Sequence, residues 1–170
     1  MRAEDAAAYA VYRRDFLDND ADNPYSAGIR RQLDADDTVD EAIMRALSNL
    51  QPTAEWRVPQ VDYYLFLDAA TIAGRVSCRL AMTPELAETG GHIGYGVAPS
   101  QRRHGYAQQL LQYALNLYRR RGEPFVILTA AAGNKASRHV IEANGGVLQR
   151  QVPGKGDEPL CIYHIALTHA

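Results

Sequence analysis

The stretch from Ile93 to Ala107, Ile-Gly-Tyr-Gly-Val-Ala-Pro-Ser-Gln-Arg-Arg-His-Gly-Tyr-Ala, constrains the fold of this chain more than any other. A short extended run reaches Pro99 and turns through a basic loop containing Gly105. It then enters a segment in which Ala107, Leu110, Leu111, Ala114, Leu115 and Tyr118 recur at helical spacing, ending near Arg121. A helix that starts at Gly105 to Ala107 leaves its first N–H groups without intrahelical partners. The aligned peptide dipoles place partial positive charge at the same end, so an anion is favoured there. Gly105 has no side chain to hold a phosphate away from the backbone, and Ala107 adds little bulk. Arg102, Arg103 and His104 bring further donors, and at least one arginine is expected to reach phosphate oxygens.

The elements around this core are read from periodicity and turn chemistry. Ala3 to Asn19 places Ala6, Tyr9, Ala10, Phe16 and Leu17 on one helical face, interrupted by Arg13. Asp18 to Arg31 reads as turn, with a bend at Asn23-Pro24. Thr38-x-x-Glu41 is a capping box for a second helix, whose Val39, Ile43, Ala46, Leu47 and Leu50 share a face before Pro52. Trp56 is expected to be a packing residue. Val61 to Leu67 and Ile72 to Leu80 predict an antiparallel hairpin with Gly74 marking a bulge, and a polar loop, Thr83 to Gly91, leads to the central strand His92 to Ala98. Arg119-Arg120-Arg121 sits in the last helical turn, where cations complement the dipole. Phe125 to Thr129 is a buried strand, so strand, helix and strand imply a parallel, right-handed crossover. Asn134 caps a helix to about Asn144, with Ala136, Val140 and Ala143 inward and Gly145 at its C-terminal end. Gly146 to Val152 and Leu160 to Leu167 predict a closing hairpin. The fold class is α/β, a central mixed sheet with helices on both faces.

Composition excludes several classes of function. At 170 residues, 46% apolar and 22% charged, the chain supports one core: a single domain, with a helical region over 1–60 and a sheet core over 61–170. A net charge of -2 offers no basic face for a nucleic-acid backbone, so any phosphate ligand is small and locally bound. Cys78 and Cys161 lie far apart in apolar runs and read as buried free thiols, with no metal site. No apolar run approaches ~18 residues and no signal layout opens the chain, so a cytoplasmic protein without a membrane partner is expected, as a monomer or homodimer. There is no Gly-x-x-x-x-Gly-Lys run and no Gly-x-Gly-x-x-Gly after a first strand, which leaves a nucleotide-binding domain poorly supported.

From Val61 to Leu167 the chain resembles the GNAT acyltransferases, in a bacterial branch whose acceptors are mostly undefined. The resemblance rests on Arg102-x-x-Gly105-x-Ala107 preceded by Val97-Ala98-Pro99, on Asn134-x-x-Ser137, on Glu142-x-x-Gly145, and on the lead-in Gly90-Gly91-His92-Ile93-Gly94-Tyr95. It implies an N-acetyltransferase that uses acetyl-CoA as co-substrate. The acetyl group would pass directly, within a ternary complex, to a primary amine of a small or amino-acid-like acceptor. The resemblance places the coenzyme on Gly96, Val97, Ala98, Arg102, Arg103, His104, Gly105, Tyr106 and Ala107, with Asn134 and Ser137 on its pantetheine or phosphate portion. Pantetheine would lie in a gap where the central strand splays from Phe125 to Thr129, and the first two helices would wall the acceptor pocket. Two departures stand out. Relatives often begin with a strand, and this chain starts in helix. Ile141 occupies the position where the family often carries a tyrosine that protonates the departing thiolate.

The reaction needs a base, because an alkylamine with a pKa near ~10 is protonated at neutral pH. His92, near where an acceptor would enter, is the first candidate, with a structural histidine beside a Gly-Gly turn as the other reading. His139 and His164 are weaker candidates. Tyr95 or Tyr163 is the candidate acid, and a backbone N–H of Gly96 or Val97 is the candidate to polarise the acetyl carbonyl. The missing tyrosine also keeps open a non-catalytic acyl-CoA-binding module or sensor.

Overall fold

The protein is described from a computed structural model that covers residues 1–54, 57–154 and 156–167; Trp56 falls outside these. A 3-10 turn at Ala3–Asp5 leads into α1, Ala6–Asn19, which buries Ala8, Tyr9, Tyr12 and Phe16. This face is rotated from the expected one: Ala6 and Ala10 are exposed, because the three aromatic rings at i, i+3 and i+7 take the inward stripe. The segment read as turn up to Arg31 holds a second helix, α2, Ala27–Ala35, after a 3-10 turn at Pro24–Ser26 that the Asn23 side chain caps. Its apolar signal is only Ile29 and Leu33, one turn apart among arginines. The capping box forms as expected on α3, Val39–Leu50: Glu41 N–H donates to Thr38 Oγ1 at 3.2 Å, and Thr38 N–H donates to Glu41 Oε2 at 2.9 Å. Val39 and Ala42 are buried, whereas Leu47 and Leu50 at the far end are exposed.

The sheet is divided in two. In the first half β1, Gln60–Phe66, pairs antiparallel with β2, Ile72–Arg79, and β2 pairs antiparallel with β3, Ile93–Val97. The expected irregularity falls between Leu65 and Phe66, opposite the Ile72–Gly74 segment. The polar loop before β3 contains a short helix, α4, Pro84–Thr89, capped by Thr83. After a 3-10 turn at Pro99–Gln101 comes α5, Tyr106–Arg120, which buries Leu110, Leu111, Ala114, Leu115 and Tyr118 against both halves. The second half comprises β4, Phe125–Ala131, β5, Gly146–Val152, and β6, Leu160–Ala166, with β6 in the middle and both pairings antiparallel. The closing hairpin is therefore present. Between β4 and β5 lies α6, Lys135–Ala143, whose buried residue is Ile141; Ala136 and Ala143 are exposed, so the inward face is Ser137, Val140 and Ile141. Cys78 and Cys161 are buried free thiols.

The halves meet where β3 and β4 begin, and there the parallel ladder implied by the crossover does not form. Among the described residues the strands share one isolated bridge, of antiparallel type, between Gly91 and Leu128. His92 N–H donates to Ile127 C=O at 2.7 Å, and Ile127 N–H donates not to a β3 carbonyl but to the His92 ring at Nδ1, 2.9 Å away. The side chain thus takes the rung before the shared one, while on the cleft side the His92 C=O is already occupied by the Arg79 N–H, and the strands diverge there. Tyr118 locks the junction: its hydroxyl donates to Arg79 C=O at 2.7 Å and His92 C=O at 3.0 Å, and its ring packs edge-on against the imidazole.

Gly91 makes the junction possible. Its φ is +64°, and a Cβ there would lie 2.4 Å from the Ile127 carbonyl oxygen. Gly91→Ala is expected to destabilise the protein by at least about 2 kcal/mol, a fall in Tm of roughly 4–8 °C, measurable by thermal unfolding. An unchanged Tm would contradict this reading of the junction.

Candidate functional site

Divergence of β3 from β4 opens a cleft of about 280 Å³, lined by Tyr25, Ile93, Gly94, Tyr95, Leu128, Thr129, Ala130, Ala131, Asn134, Ser137 and Leu160. The backbone lining follows from the ladder phase. In an antiparallel pair, hydrogen-bonded and non-bonded residues alternate. Ala98 N–H donates to Ala73 C=O and Arg79 N–H donates to His92 C=O, which puts Gly94 and Gly96 in the bonded phase toward β2. Tyr95 and Val97 therefore turn their N–H and C=O groups away from β2, toward the cleft. On the other wall Leu167 N–H donates to Pro124 C=O and Ala132 N–H donates to Pro159 C=O. Val126, Leu128 and Ala130 bond β6 in the same phase, and Thr129 and Ala131 face the cleft. The Val97 C=O is taken by Arg102 Nε and the Ala131 C=O by the Asn134 N–H, so the lips present the four N–H groups and the Tyr95 and Thr129 carbonyls with no strand between them, a fit for an extended ligand that carries amides.

This phase sorts the expected backbone contacts. The Val97 N–H points into the gap. The Gly96 N–H is bonded to β2, and its Cα lies under Ile29 of α2, where a Cβ would come within 2.2 Å of the Ile29 side chain. Ala98 is buried with its N–H given to Ala73, so neither its side chain nor its amide reaches the cleft.

Beyond the end of β3, α5 begins at Gly105, with φ +79°, no side-chain cap, and open space where a Cβ would project. Gln109 N–H is the donor to Gly105 C=O, which leaves the Tyr106, Ala107 and Gln108 amides at the bare helix start. The arginines divide their labour. Arg102 was expected as a phosphate ligand, yet it is held in a two-pronged ion pair with Asp20, Nη1 to Oδ1 at 2.8 Å and Nη2 to Oδ2 at 2.6 Å, and its Nε donates to Val97 C=O at 3.3 Å. Burial pushes the Asp20 carboxyl up, and hydrogen bonds from Arg102, Ser26 and Asn23 outweigh it, so the group sits below the ordinary carboxylate range. Arg102 thus ties the loop to the end of α1. Arg103, exposed and at φ +67°, makes no ion pair or hydrogen bond among the described residues and is the arginine free to meet an anion. His104 is exposed, stacks on Tyr106 with ring centroids 5.7 Å apart, and lies 3.3 Å from Gln101 C=O through Nδ1.

On the inner wall, Asn134 Oδ1 accepts from Ser137 N–H at 3.1 Å and caps α6. Tyr95 reaches across from β3: its hydroxyl donates to Ser137 C=O at 3.2 Å and lies 3.1 Å from Ser137 Oγ. Burial pushes this phenol up to about 12, with the Ser137 contact opposing, so it keeps its proton at neutral pH. Ile141, one turn further along α6, is 1% exposed in the core.

His92 and Tyr163 are not brought into this group. His92 is 9% exposed at the junction and absent from the cleft lining. Its Nδ1 accepts a hydrogen bond, so the ring proton sits on Nε2, and burial pushes its pKa below the ordinary histidine value. The structural reading of His92 fits these contacts, and the reading as base does not. Tyr163 is fully buried on β6, accepting from Arg138 Nε at 2.9 Å and donating to Glu142 Oε1 at 2.7 Å, a contact that fastens α6 to its sheet. His139 is exposed on α6, and His164 stacks on Phe125. Tyr25, Thr129 and Ala131 line the cleft without having been singled out from the sequence; Tyr25 sits in a turn with no periodicity to mark it.

Among the described residues no group of histidine, cysteine and carboxylate side chains is arranged to hold a metal ion, and no helix is long and apolar enough to cross a membrane. Residues 30–145 match the model of the Acetyltransferase (GNAT) family. Among curated proteins none matches the sequence. Several solved structures share the fold. An acetyltransferase of the GNAT family from Streptococcus pneumoniae superposes with a TM-score of 0.65 at 16% identity, over 99% of this chain and 96% of that one. The putative acetyltransferase yncA from Salmonella typhimurium, solved with its cofactor acetyl-CoA, gives 0.61 at 16% identity over 100% and 92%. RimL, a ribosomal L7/L12 alpha-N-protein acetyltransferase, gives 0.61 at 20% identity over 95% and 87%.

The His92 contacts set a pH dependence. Its folded pKa lies below the unfolded value near ~6.5, so the unfolded chain binds the proton more readily. The stability this confers is complete above that value and is lost as pH falls below it. Against His92→Gln, the parent is expected to lose more unfolding free energy between pH ~7.5 and pH ~5.5 in denaturant titrations. A parent–variant difference that does not change with pH would contradict the assignment.

Proposed function

The chain belongs to the GNAT acetyltransferases, acetyl-CoA-dependent acyltransferases, and from that premise we propose that it acetylates a primary amine of a small or amino-acid-like acceptor, by direct attack within a ternary complex. The observation that carries this reading is the splayed cleft. Its two backbone lips and the Tyr95 side chain line it, and β3, which forms one lip, leads on through the basic loop to the bare start of α5. Bound acetyl-CoA supplies the acetyl group as an activated thioester. The residues present fit it: the open Gly105 cradle and the Tyr106 to Gln108 amides would receive the pyrophosphate, Arg103 its charge, and the Tyr95, Val97, Thr129 and Ala131 backbone groups together with Asn134 the pantetheine amides.

Tyr95 takes the place that Ile141 leaves vacant. Its proton is retained at neutral pH and is shared with Ser137 on the helix that usually carries the acid, so the donor arrives from the strand wall. The Val97 N–H, in the cleft-facing phase, is the group we assign to polarising the acetyl carbonyl. With Tyr95 available, the motive for a non-catalytic acyl-CoA sensor disappears. The cleft lining contains no carboxylate and no histidine to act as base. The acceptor therefore has to reach the site as its neutral amine, and its own ionisation governs the rate.

Three results are expected. Acetyl-CoA at ~100 times its dissociation constant raises Tm by roughly 5–10 °C, an effect that Gly105→Glu removes. Tyr95→Phe keeps that shift and lowers kcat by about a hundredfold or more. With an alkylamine acceptor, kcat/KM rises about tenfold per pH unit between pH ~7 and pH ~9. No thermal shift in the folded parent would refute the cofactor site, and full activity in Tyr95→Phe would refute the acid.

A further inference from the structure

Alternation along β3 gives its two faces opposite characters. Tyr95 and Val97 pack toward α5 and α6, where the Tyr95 hydroxyl meets Ser137. Gly94 and Gly96 face the helical layer and present no side chain to it. That layer treats the two glycines differently. A Cβ on Gly94 would meet nothing within 4 Å, whereas a Cβ on Gly96 would lie 2.2 Å from Ile29 Cδ1 and 3.8 Å from Phe16 Cζ. Ile29 therefore rests on the Gly96 Cα, beside the Val97 N–H assigned above to the acyl carbonyl. The plug is held rigidly. Phe16 behind it is fully buried and packs edge-on against Tyr12, with ring centroids 5.2 Å apart. The turn of α2 that follows Ile29 is tied down at three residues. Arg30 donates to Asn23 C=O at 2.7 Å and to Asp20 C=O, Gln32 Oε1 accepts from Arg75 Nη2 at 3.0 Å, and Leu33 is buried. A wall fixed in this way excludes atoms rather than yielding to them.

The trigonal geometry of a thioester decides what this wall meets. Its carbonyl carbon and the three attached atoms lie in one plane. With the oxygen at the Val97 N–H, within the sheet, and the sulfur on the face where Tyr95 points, the third substituent is directed to the opposite face, at Gly96. That substituent is the acyl chain, and Ile29 stands at its end. The amine attacks across the carbonyl plane, a direction that runs along β3, so its approach does not use the space that Ile29 fills. We propose that Ile29 is a specificity-determining residue that limits the transferred group to acetyl, by closing the helical-layer face of the cleft at Gly96. The proposal rests on the acetyltransferase reading above and adds to it which coenzyme A thioesters the site accepts.

The test measures binding of coenzyme A, acetyl-CoA, propionyl-CoA, butyryl-CoA and hexanoyl-CoA to the full chain by titration calorimetry, with no amine present. Leaving out the acceptor keeps any contact between Ile29 and the amine out of the readout. The parent is expected to bind acetyl-CoA about ten- to a hundredfold more tightly than the longer thioesters, since each added methylene has to enter closed packing. Ile29→Ala removes the side chain beyond Cβ, room for about three further carbons. It is expected to bring butyryl-CoA to within about twofold of acetyl-CoA and to leave the affinity for coenzyme A itself unchanged. Ile29→Val, which removes the methyl nearest Gly96 and keeps the rest of the packing, should recover propionyl-CoA but not hexanoyl-CoA. A parent that binds butyryl-CoA as tightly as acetyl-CoA, or a discrimination that both variants retain in full, would overturn the acyl-length assignment alone. A folded parent that binds none of the thioesters would overturn the acetyltransferase reading and this inference with it.

Discussion

The hydrogen bond from Ile127 N–H to the His92 ring is the contact on which the rest of the architecture depends. Two strands brought side by side by a helical crossover ordinarily zip along their length, since each unpaired buried peptide group costs free energy. Here an imidazole nitrogen replaces a carbonyl on one side of the single bridge, and on the other side the His92 C=O is given to Arg79 N–H and the Tyr118 hydroxyl, so the ladder stops. The cleft opens from that stop. The Tyr95, Val97, Thr129 and Ala131 N–H groups are left facing a gap, positioned by half-sheets that are paired on their other side. Burial keeps the ring uncharged, and this suits a residue whose Nδ1 must accept.

A gap held open between two half-sheets needs bracing at its far end, and the helical layer supplies it. Asp20 at the end of α1 grips Arg102, and the Arg102 Nε binds Val97 C=O, so the phosphate-type loop and the last residue of β3 are fixed by one guanidinium. Below it, Asp62 of β1 pairs with Arg45 of α3 at 3.3 Å, while Arg75 of β2 donates to Gln32 of α2 at 3.0 Å. These buried polar contacts fix where the helices sit on the first half-sheet and hence where Tyr25 enters the cleft. Tyr25 and Glu158 complete the frame on the opposite side. Arg102 of the motif thus fastens its loop to α1 and β3, and the neighbouring Arg103 makes no ion pair or hydrogen bond among the described residues.

How much of this was legible in the sequence depended on how local the deciding interaction was. The capping box at Thr38, the inward stripe of α5, the closing hairpin and the cap at Asn134 are set within a few residues, and all appear as expected. The α2 helix was hidden because Ile29 and Leu33 are too few to give a period, and α4 because six residues rarely do. The inward faces of α1 and α6 were misjudged where alanine and aromatic or branched residues competed, since only packing decides between them. The role of Arg102 turns on Asp20, more than eighty positions earlier in the chain. The burial of His92 turns on Ile127, Tyr118 and the left-handed Gly91. No spacing rule carries contacts of that range. The Gly-Gly lead-in marked a special backbone at the junction but not that a side chain would end the ladder there.

The central claim is that the unpaired lips of β3 and β4 form the acetyl-CoA site. Residue-resolved amide hydrogen exchange, with and without acetyl-CoA, tests it most directly. The account predicts slower exchange at Tyr95, Val97, Thr129, Ala131 and the Tyr106 to Gln108 amides, with little change at Gly94 and Gly96, which are already bonded to β2. Protection that ignores this alternation, or that falls on other surfaces while these amides exchange as before, would contradict it.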